Sequence, residues 1–398
     1  MEPKVLSGGG GGGEGATAPP PFINTDLTST RQEYYFSPPA WIDAWLLRQL
    51  RDPRDTPLAY LLFNIIVLVV PAAVATFVAP PSHALGAAYL VLSNGLFLQR
   101  FLLGLHYAEH LQIFKSGLPG AVLNSLCPYF LCALFGLPPG MYRLHHIYMH
   151  HCENNLFPHD LSSTEVYQRD NFFHWLLYWL RFWVAIWVEL PLYALRKRRL
   201  RLAAHTLVML AAFAAVVRQL WLFNHVATIW VVAAPMLVAS LAMMFGNWAQ
   251  HLFLDPARPR SNYALTYNLV NAADNLKTFN DGYHIVHHQN SKLHWTELPL
   301  RFMQTLDKHA HEDALVFEGL GFFDVGFLAM TGQLHKLADR YVDIGQKRRS
   351  REELVAMLKE RLRPIRASAR HQGADEQQGG GRGAGEGRGR GSGESRRR

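Results

Sequence analysis

Histidines stand in four groups, each at or just beyond a long apolar segment, and they are the residues of this chain best suited to metal chemistry. Imidazole is a good ligand for iron and other late divalent metals. One metal ion takes roughly three to six ligands, so nine imidazoles predict two ions. The groups are His106-x-x-x-His110, His146-x-x-x-His150-His151, Asn247-x-x-x-His251 and His284-x-x-His287-His288.

The spacing of these histidines favours a shared site. Residues four apart lie on the same face of a helix, so His106 and His110 would point the same way, as would the corresponding pairs in the other groups. A single H-x-x-x-H motif often arises by chance, and its histidines then have only a structural role. Four such groups beside apolar segments predict one metal centre.

The elements that must position the histidines are apolar segments of about 20 residues, the length that crosses a bilayer as a helix. Apolar residues make up 49% of the 398 residues and are concentrated in these segments, which indicates a polytopic membrane protein. Pro80-Pro81 separates the first two spans by a short uncharged turn, as expected on the non-cytosolic side. The four predicted spans are residues 58–78, 85–105, 202–222 and 226–245.

Two further apolar stretches, residues 118–137 and 172–195, are interpreted as re-entrant or interfacial. If 118–137 crossed the bilayer once, the first two histidine groups would lie on opposite sides and could not share a site. The stretch 172–195 lies between the second group and the basic run 196–199, so both its ends should be cytosolic. We therefore expect an all-α membrane protein with four transmembrane helices, interfacial helices and a cytosolic histidine cap.

The polar ends of the chain predict a simple domain organisation. The leader lacks a basic region followed by an apolar core, so it is not a secretory signal, and Glu2, Glu14 and Asp26 argue against a transit peptide. The tail could bind RNA, but we predict a solvated low-complexity end and no nucleic-acid partner. The predicted segments are a disordered Gly/Pro-rich leader 1–36, a membrane domain 37–345, a charged helix 346–366 and a disordered Arg/Gly-rich tail 367–398.

Charge and cysteine content exclude other classes of protein. Much of the net charge of +8 lies in the tail and beside the membrane, where basic residues set topology. The three cysteines include no C-x-x-C pair, which argues against a thiolate zinc site or a disulfide framework. No H-E-x-x-H motif of a zinc protease is present. A metal transporter would need polar groups at mid-membrane depth, and the predicted spans are nearly free of them.

The histidine pattern resembles the membrane fatty acid desaturase and hydroxylase superfamily, with its boxes H-x(3–4)-H, H-x(2–3)-H-H and (H/Q)-x(2–3)-H-H. The segment Asn247-Trp-Ala-Gln-His251 is similar to a fourth element found in stearoyl-CoA desaturases. The resemblance covers residues 40–310. It implies two irons bound by the nine histidines, with Asn247 holding a water at one of them. The implied metal-site residues are His106, His110, His146, His150, His151, Asn247, His251, His284, His287 and His288.

The resemblance also implies the reaction and its partners. An unactivated alkyl C–H is not acidic, so removing its hydrogen requires metal-activated O2 rather than a protein acid or base. The expected enzyme is an O2-dependent fatty acyl desaturase acting on a lipid or an acyl-CoA, with no catalytic residue beyond the metal ligands. A lipid hydroxylase on the same scaffold remains the alternative.

Electrons must come from outside, because the chain has no cytochrome b5 haem motif, no dinucleotide-binding motif and no iron–sulfur cysteines. The family would use cytochrome b5 in the endoplasmic reticulum, which we expect here, or ferredoxin in a plastid. Lys115, Arg143, Arg258, Arg260 and the run 196–201 could dock an acidic carrier, although positive-inside topology explains most of them.

Several residues near the boxes have open roles in the sequence. His145 precedes His146, which leaves the choice of ligand between them to be tested. His294 could support a ligand or lie on the surface. The carboxylates that could hold ligand imidazoles are Glu109, Asp160, Asp255 and Asp281.

Overall fold

The computed structural model describes residues 22–28 and 35–365. The predicted tail 367–398, with its RNA-binding alternative, and most of the leader lie outside these residues. The sequence predicts disorder for all of the leader, whereas residues 22–28, the N-terminal segment, bond to Tyr283, the residue just before the third histidine box. Asn24 caps a short 3-10 turn, Thr25–Leu27, within this segment.

Among the described residues, five helices are long and apolar enough to cross a membrane. Four of them contain the predicted spans. The fifth, Phe172–Arg196, contains the stretch that the sequence assigns to the interface. Following a short helix α1 (Ala40–Gln49), they are α2 (Pro53–Val78), α3 (His83–His110), α6 (Phe172–Arg196), α7 (Leu200–Phe223) and α8 (His225–Gln250).

Helix α3 carries the first histidine group in its last two turns. Its first turn is capped by Ser82, whose hydroxyl accepts a hydrogen bond from Leu85 N at 3.2 Å, and it ends where Leu111 becomes extended. Its 28 residues make a helix of about 42 Å, longer than the roughly 30 Å hydrocarbon core. A helix of this length could cross the hydrocarbon and still extend past it.

Helix α4 (Leu118–Leu134) is shorter than a membrane span and ends in a reversal of the chain. Phe135 stacks on Phe101 of α3 with ring centroids 4.2 Å apart. Gly136 then adopts a φ of 74° against Pro235 of α8, where a Cβ would lie 2.2 Å from the Pro235 carbonyl oxygen. Only glycine fits this turn, which sends the chain back toward residues 141–153, the helical segment α5.

A small mixed layer follows the last long helix, and it adds two short strands to a chain that is otherwise mostly helical, as predicted. Strand β1 (Tyr267–Val270) pairs in parallel with β2 (Leu315–Glu318), in the register Tyr267↔Leu315. The strands are only four residues long and buried. The remaining helices of this layer are α9 (His284–Gln289), α10 (Leu298–Gln304), α11 (Leu306–His311), α12 (Phe322–Met330), α13 (Leu334–Ala338) and α14 (Arg351–Arg361).

Helix α14 lies inside the predicted charged segment 346–366 and is anchored by one buried arginine. Arg169, fully buried, donates to the carbonyls of Leu252, Arg361 and Arg363. These bonds join the loop after α5 to the end of α8 and to the end of α14. The guanidinium satisfies backbone carbonyls that burial would otherwise leave unpaired.

The apolar core forms two large clusters that meet beside the histidines. One joins α2, α3, α4 and α8 around Phe97, Phe101 and Phe135. The other joins α6 and α8 to the mixed layer. Leu103 and Met243 pack against both clusters and line the same cavity as several histidines. The site therefore sits where the membrane helices meet the polar layer.

Candidate metal centre

The second histidine box is a π-helical turn, His146–His150, inside the helical segment α5. With a hydrogen bond from residue i+5 to residue i, positions separated by four and by five residues come to one side. This geometry brings His151 Nε2 to 3.1 Å from His146 Nε2. An ordinary α-helix would align His146 with His150 but turn His151 away.

Helix α9 presents the third box. It begins directly after Tyr283 and is tied to β1, because Ile285 N donates to Asn268 Oδ1 at 3.0 Å. His284, His287 and His288 follow one another around this short helix, and His284 and His287 are buried. The hydrogen bond to β1 therefore fixes the position of α9, and with it the third box, against the strand pair.

Five imidazoles from three boxes converge in a first group. His106 Nε2 lies 2.8 Å from His287 Nε2, and His110 Nε2 lies 2.9 Å from His146 Nε2. His151 Nε2 lies 3.2 Å from His287 Nε2, which completes the contact between the boxes. All five candidate ligand atoms lie within 4.8 Å of one another.

A second group contains His150, His251 and His288, whose candidate ligand atoms also lie within 4.8 Å of one another. His284 lies beside it, with its ring centroid 4.7 Å from that of His288 and 5.4 Å from that of His251. Eight of the nine predicted histidines thus fall into two compact groups, and the ninth adjoins the second group.

Asn247 lies one turn before His251 but forms no part of either group. Its Nδ2 donates to Ser162 O at 3.1 Å and to Tyr178 Oη at 2.7 Å. This pairing fixes the amide orientation and leaves Oδ1 as an acceptor without a hydrogen bond to any described residue. Asn247 also lines the cavity beside the histidines.

Buried acceptors fix the outer nitrogens of the imidazoles in the second group. Asp160 Oδ2 accepts from His150 Nδ1 at 2.8 Å, and the carbonyl of Leu265 accepts from His251 Nδ1 at 3.0 Å. Because each Nδ1 carries the proton, each Nε2 keeps its lone pair for a metal. Asp281 Oδ1 has a similar place between two boxes, 3.4 Å from His106 Nδ1 and 3.5 Å from His284 Nδ1.

The other two candidate carboxylates pair with arginines. Glu109 accepts from Arg143 at 2.8 Å, and Asp255 forms ion pairs with Arg258 and Arg361. Neither has a contact with a histidine among the described residues. The sequence could not distinguish them from Asp160 and Asp281, because the partner of each carboxylate comes from a distant segment.

His145 and His294 both lie apart from the two groups. His145 Nε2 lies 3.0 Å from Ser162 Oγ, so the structure brings His146, and not its neighbour, to the converging nitrogens. His294 is buried rather than superficial, with Nε2 3.1 Å from Asp55 Oδ1. It therefore connects the third-box region to the start of α2.

Sequence reasoning missed three polar residues that support the histidines. Ser162 donates through Oγ to Asp160 Oδ1 at 2.8 Å. Gln250 Nε2 donates to Asp281 Oδ2 and lies 3.3 Å from His284 Nδ1. Tyr178 holds the Asn247 amide. The position of Gln250 next to His251 is the one feature of the sequence that could have identified it as a supporting residue.

Burial sets the charge state of the site. It lowers the pKa of His287 and of His288 well below the usual value, and the neighbouring imidazoles add to the effect. Burial by itself would raise the pKa of Asp281, but His106 and hydrogen bonds from His284 and Gln250 outweigh it and lower this pKa to about 2. Neutral imidazoles and an ionised carboxylate are the states that metal binding requires.

The imidazole nitrogens of these residues would be better satisfied by two metal ions than by hydrogen bonds to one another. Among the described residues, His251 Nε2 and His288 Nε2 are buried without a hydrogen-bond partner. An unpaired buried polar atom costs about 1–3 kcal/mol, and a bound cation would remove that cost. Imidazole ligands whose outer nitrogens bind carboxylates or carbonyls suit iron and other late divalent metals.

A cavity of about 420 Å³ runs beside both groups. Leu98, Leu102 and His106 line it from one face of α3, and Met243 and Asn247 line it from α8. Its walls are mainly apolar, and the histidines form one side. Such a space can hold an alkyl chain against the metal site.

The comparisons with known proteins agree with this geometry. A family model described as fatty acid desaturase matches residues 81–312, more than half of the chain. The matched segment contains all nine histidines and Asn247. No curated protein and no solved structure matches the chain. The family match and the two histidine groups lead to one conclusion: the chain belongs to the fatty acid desaturase family.

Proposed function

We propose that this protein is an O2-dependent fatty acyl desaturase whose nine histidines hold two irons. The observation that carries the proposal is the convergence of imidazoles from three boxes, centred on the 2.8 Å approach of His106 Nε2 and His287 Nε2. These residues are 181 positions apart in the chain. A purely structural role would leave two buried nitrogens of the described site, His251 Nε2 and His288 Nε2, without a partner.

Each histidine group would hold one ion. His284 would join the second group, because its ring lies against His288. Asn247 would orient a water there, since its Nδ2 is committed to Ser162 and Tyr178 and its Oδ1 remains to accept. The first ion would take His106, His110, His146, His151 and His287, and the second His150, His251, His284 and His288.

Iron bound in this way supplies the activation of O2 that removes hydrogen from an unactivated C–H bond. The chain supplies positioning and exclusion of water. The cavity would align the alkyl chain along Leu98 and Leu102, past His106. Asp160 and the carbonyl of Leu265 keep the protons on the outer nitrogens of His150 and His251.

A topology with four spans, in which α6 lies at the interface, remains part of the proposal. Tyr178 Oη donates to Ser162 O at 3.3 Å, and Tyr193 Oη, 15 residues farther along α6, donates to Tyr148 O at 2.9 Å. Those positions are about 22 Å apart along a helix, yet both contact the segment 148–162, which begins within the second box and continues into the loop after it. These contacts support a helix running along the histidine layer.

The electron donor is proposed to be external, with cytochrome b5 in the endoplasmic reticulum as the expected carrier and ferredoxin in a plastid as the alternative. The basic residues suggested for docking are largely engaged within the chain. Arg260 pairs with Glu165, Arg143 with Glu109 at 2.8 Å, and Lys115 donates to a backbone carbonyl. We therefore assign no docking role to these three residues.

Lipid analysis of expressing cells tests the function. His287→Ala is expected to abolish formation of the new alkene and lower the iron content, with membrane insertion unchanged. His311→Ala is the matched control, because the His311 side chain is 87% exposed. A hydroxylated lipid without an alkene would instead support the hydroxylase alternative. Full activity of His287→Ala would exclude this histidine from the site.

A further inference from the structure

The cavity has an inner end within the membrane helices and an outer end in the polar layer. On α3, Asn94, Leu98, Leu102 and His106 line it at steps of four residues, a length of about 18 Å. The outer end is lined by Asp274, Phe322 and Phe323. An acyl chain entering there would pass the histidines on its way inward.

The outer end lies against the last span. Helix α12 packs closely on α8, because Gly326 brings its backbone against Phe245 and Ala249. Phe245 also contacts Phe323 and Phe327, with ring centroids 5.7 and 5.0 Å apart, and Phe327 is 60% exposed. An exposed apolar side chain packed beside the last turns of a span could insert into the lipid next to it. The entrance therefore faces the headgroup region of a bilayer.

The polar lining of this cavity consists of acceptors, amides and imidazoles. Within the part of the chain that the structure describes, no lysine or arginine lines it. Beside Asp274, Lys277 Nζ lies 3.8 Å from Oδ1 and forms an ion pair with that carboxylate. At the inner end, Asn94 Nδ2 donates to Leu90 O and to Ser93 Oγ, and its Oδ1 is buried with no partner among the described residues.

The charge of this lining would favour some acyl-bearing substrates over others, according to the group that carries the acyl chain. Coenzyme A and phospholipids carry phosphate groups, which are anionic acceptors and are bound in proteins by arginine, lysine or clustered N–H groups. A phosphate at this entrance would be repelled by the Asp274 carboxylate and would have to compete with it for Lys277. A hydroxyl, amide N–H or ammonium group would donate to the carboxylate.

We propose that the substrate is a membrane lipid whose headgroup bears hydrogen-bond donors and no phosphate, and that Asp274 accepts a hydrogen bond from that headgroup. The inference rests on the proposed desaturase function and specifies its substrate. Asp274 is a specificity-determining residue at the entrance, outside both histidine groups.

The experiment uses the full-length, iron-loaded protein in nanodiscs of dioleoyl phosphatidylcholine, supplied with O2 and a reductant. Three saturated substrates are compared: stearoyl-coenzyme A, distearoyl phosphatidylcholine and an N-stearoyl amino-diol lipid. The alkene product is measured for each. We expect the highest kcat/KM with the amino-diol lipid. Asp274→Asn should lower that value about tenfold, mainly through KM, because a hydrogen bond to a charged group is weakened.

Two controls separate headgroup recognition from damage to the fold. Glu352→Gln makes the same charge change at an exposed position of α14 and should leave kcat/KM unchanged. The iron content and thermal midpoint of Asp274→Asn should equal those of the wild type, since none of the described residues links Asp274 to a histidine by a side-chain bond. Higher kcat/KM with either phosphate-bearing substrate, or an unaltered KM in Asp274→Asn, would overturn the inference and leave the desaturase function standing. Absence of alkene from all three substrates would overturn both.

Discussion

His150 Nδ1 lies 2.8 Å from Asp160 Oδ2, and both side chains are almost completely buried. The pair joins the second histidine box to the loop that follows it. Ser162 donates to the other carboxylate oxygen through both its backbone N and its Oγ, each at 2.8 Å. Ser162 therefore fixes Asp160 through Oδ1, and Asp160 orients the His150 imidazole through Oδ2.

Replacing this carboxylate should weaken the metal site. Asp160→Asn keeps the shape but removes the charge that fixes His150 as the Nδ1–H tautomer. We expect iron affinity or turnover to fall about 10- to 100-fold, as is usual when a ligand's supporting carboxylate is lost. Iron titration and alkene formation measure the two effects. Asp339→Asn, on a half-exposed carboxylate paired with Arg351, should change neither.

The two adjacent histidines of the second box should respond differently to the same substitution. His146→Gln is expected to lower the bound iron and abolish turnover, because His146 Nε2 adjoins both His110 Nε2 and His151 Nε2. His145→Gln should retain most of the iron, since Gln can still bond to Ser162 Oγ. Metal analysis of the purified variants makes the comparison. Equal losses in both would contradict the assignment of His146.

The N-terminal segment is expected to stabilise the third box. Asp26 Oδ2 accepts from Tyr283 Oη at 2.7 Å, from Asn271 N at 2.8 Å and from Asn275 Nδ2 at 2.9 Å. Tyr283 directly precedes His284. Asp26→Ala should lower the free energy of unfolding by about 1.5–3 kcal/mol, the range for hydrogen bonds to a charged group.

Thermal unfolding followed with iron release would measure this effect. Thr28→Val is the control, because among the described residues the Thr28 hydroxyl bonds only within the same segment, to Thr25 O. An Asp26→Ala protein that unfolds and releases iron at the wild-type temperature would show that the segment does not support the box.

The contact between α14 and the polar layer should depend on pH. Burial opposes ionisation of Asp313, but hydrogen bonds from Arg349 and Lys347 outweigh it and lower the pKa of Asp313 to about 2. A carboxylate with a lowered folded-state pKa stabilises the fold above its unfolded pKa of about 4, and this stabilisation is lost as pH falls toward 2. Asp313→Asn should cost about 1–2 kcal/mol at neutral pH after allowance for screening.

The measurement is the difference in unfolding free energy between wild type and Asp313→Asn at several pH values. This difference should be constant above pH 5 and shrink as the pH approaches 2. A difference that stays constant over the whole range would mean that the Asp313 charge contributes nothing. The cost should also fall with added salt, because the carboxylate is partly open to solvent.

The sequence by itself determined the family, the presence of membrane helices and the histidines to consider. The match to the fatty acid desaturase family confirms the resemblance. Apolar runs of about 20 residues and the i,i+4 spacing of His106 and His110 are local properties that can be read along one segment. For the same reason the sequence identified four long apolar helices that the structure contains.

Tertiary structure decided what depends on contacts between distant segments. It divided the histidines into a group of five and a group of three, and a π-helical turn added His151 to the first. It paired β1 with β2 across 48 residues of chain, a contact that no local pattern encodes. It assigned Asp160 to an imidazole but Asp255 to arginines, because each buried charge takes whichever partner the fold brings near.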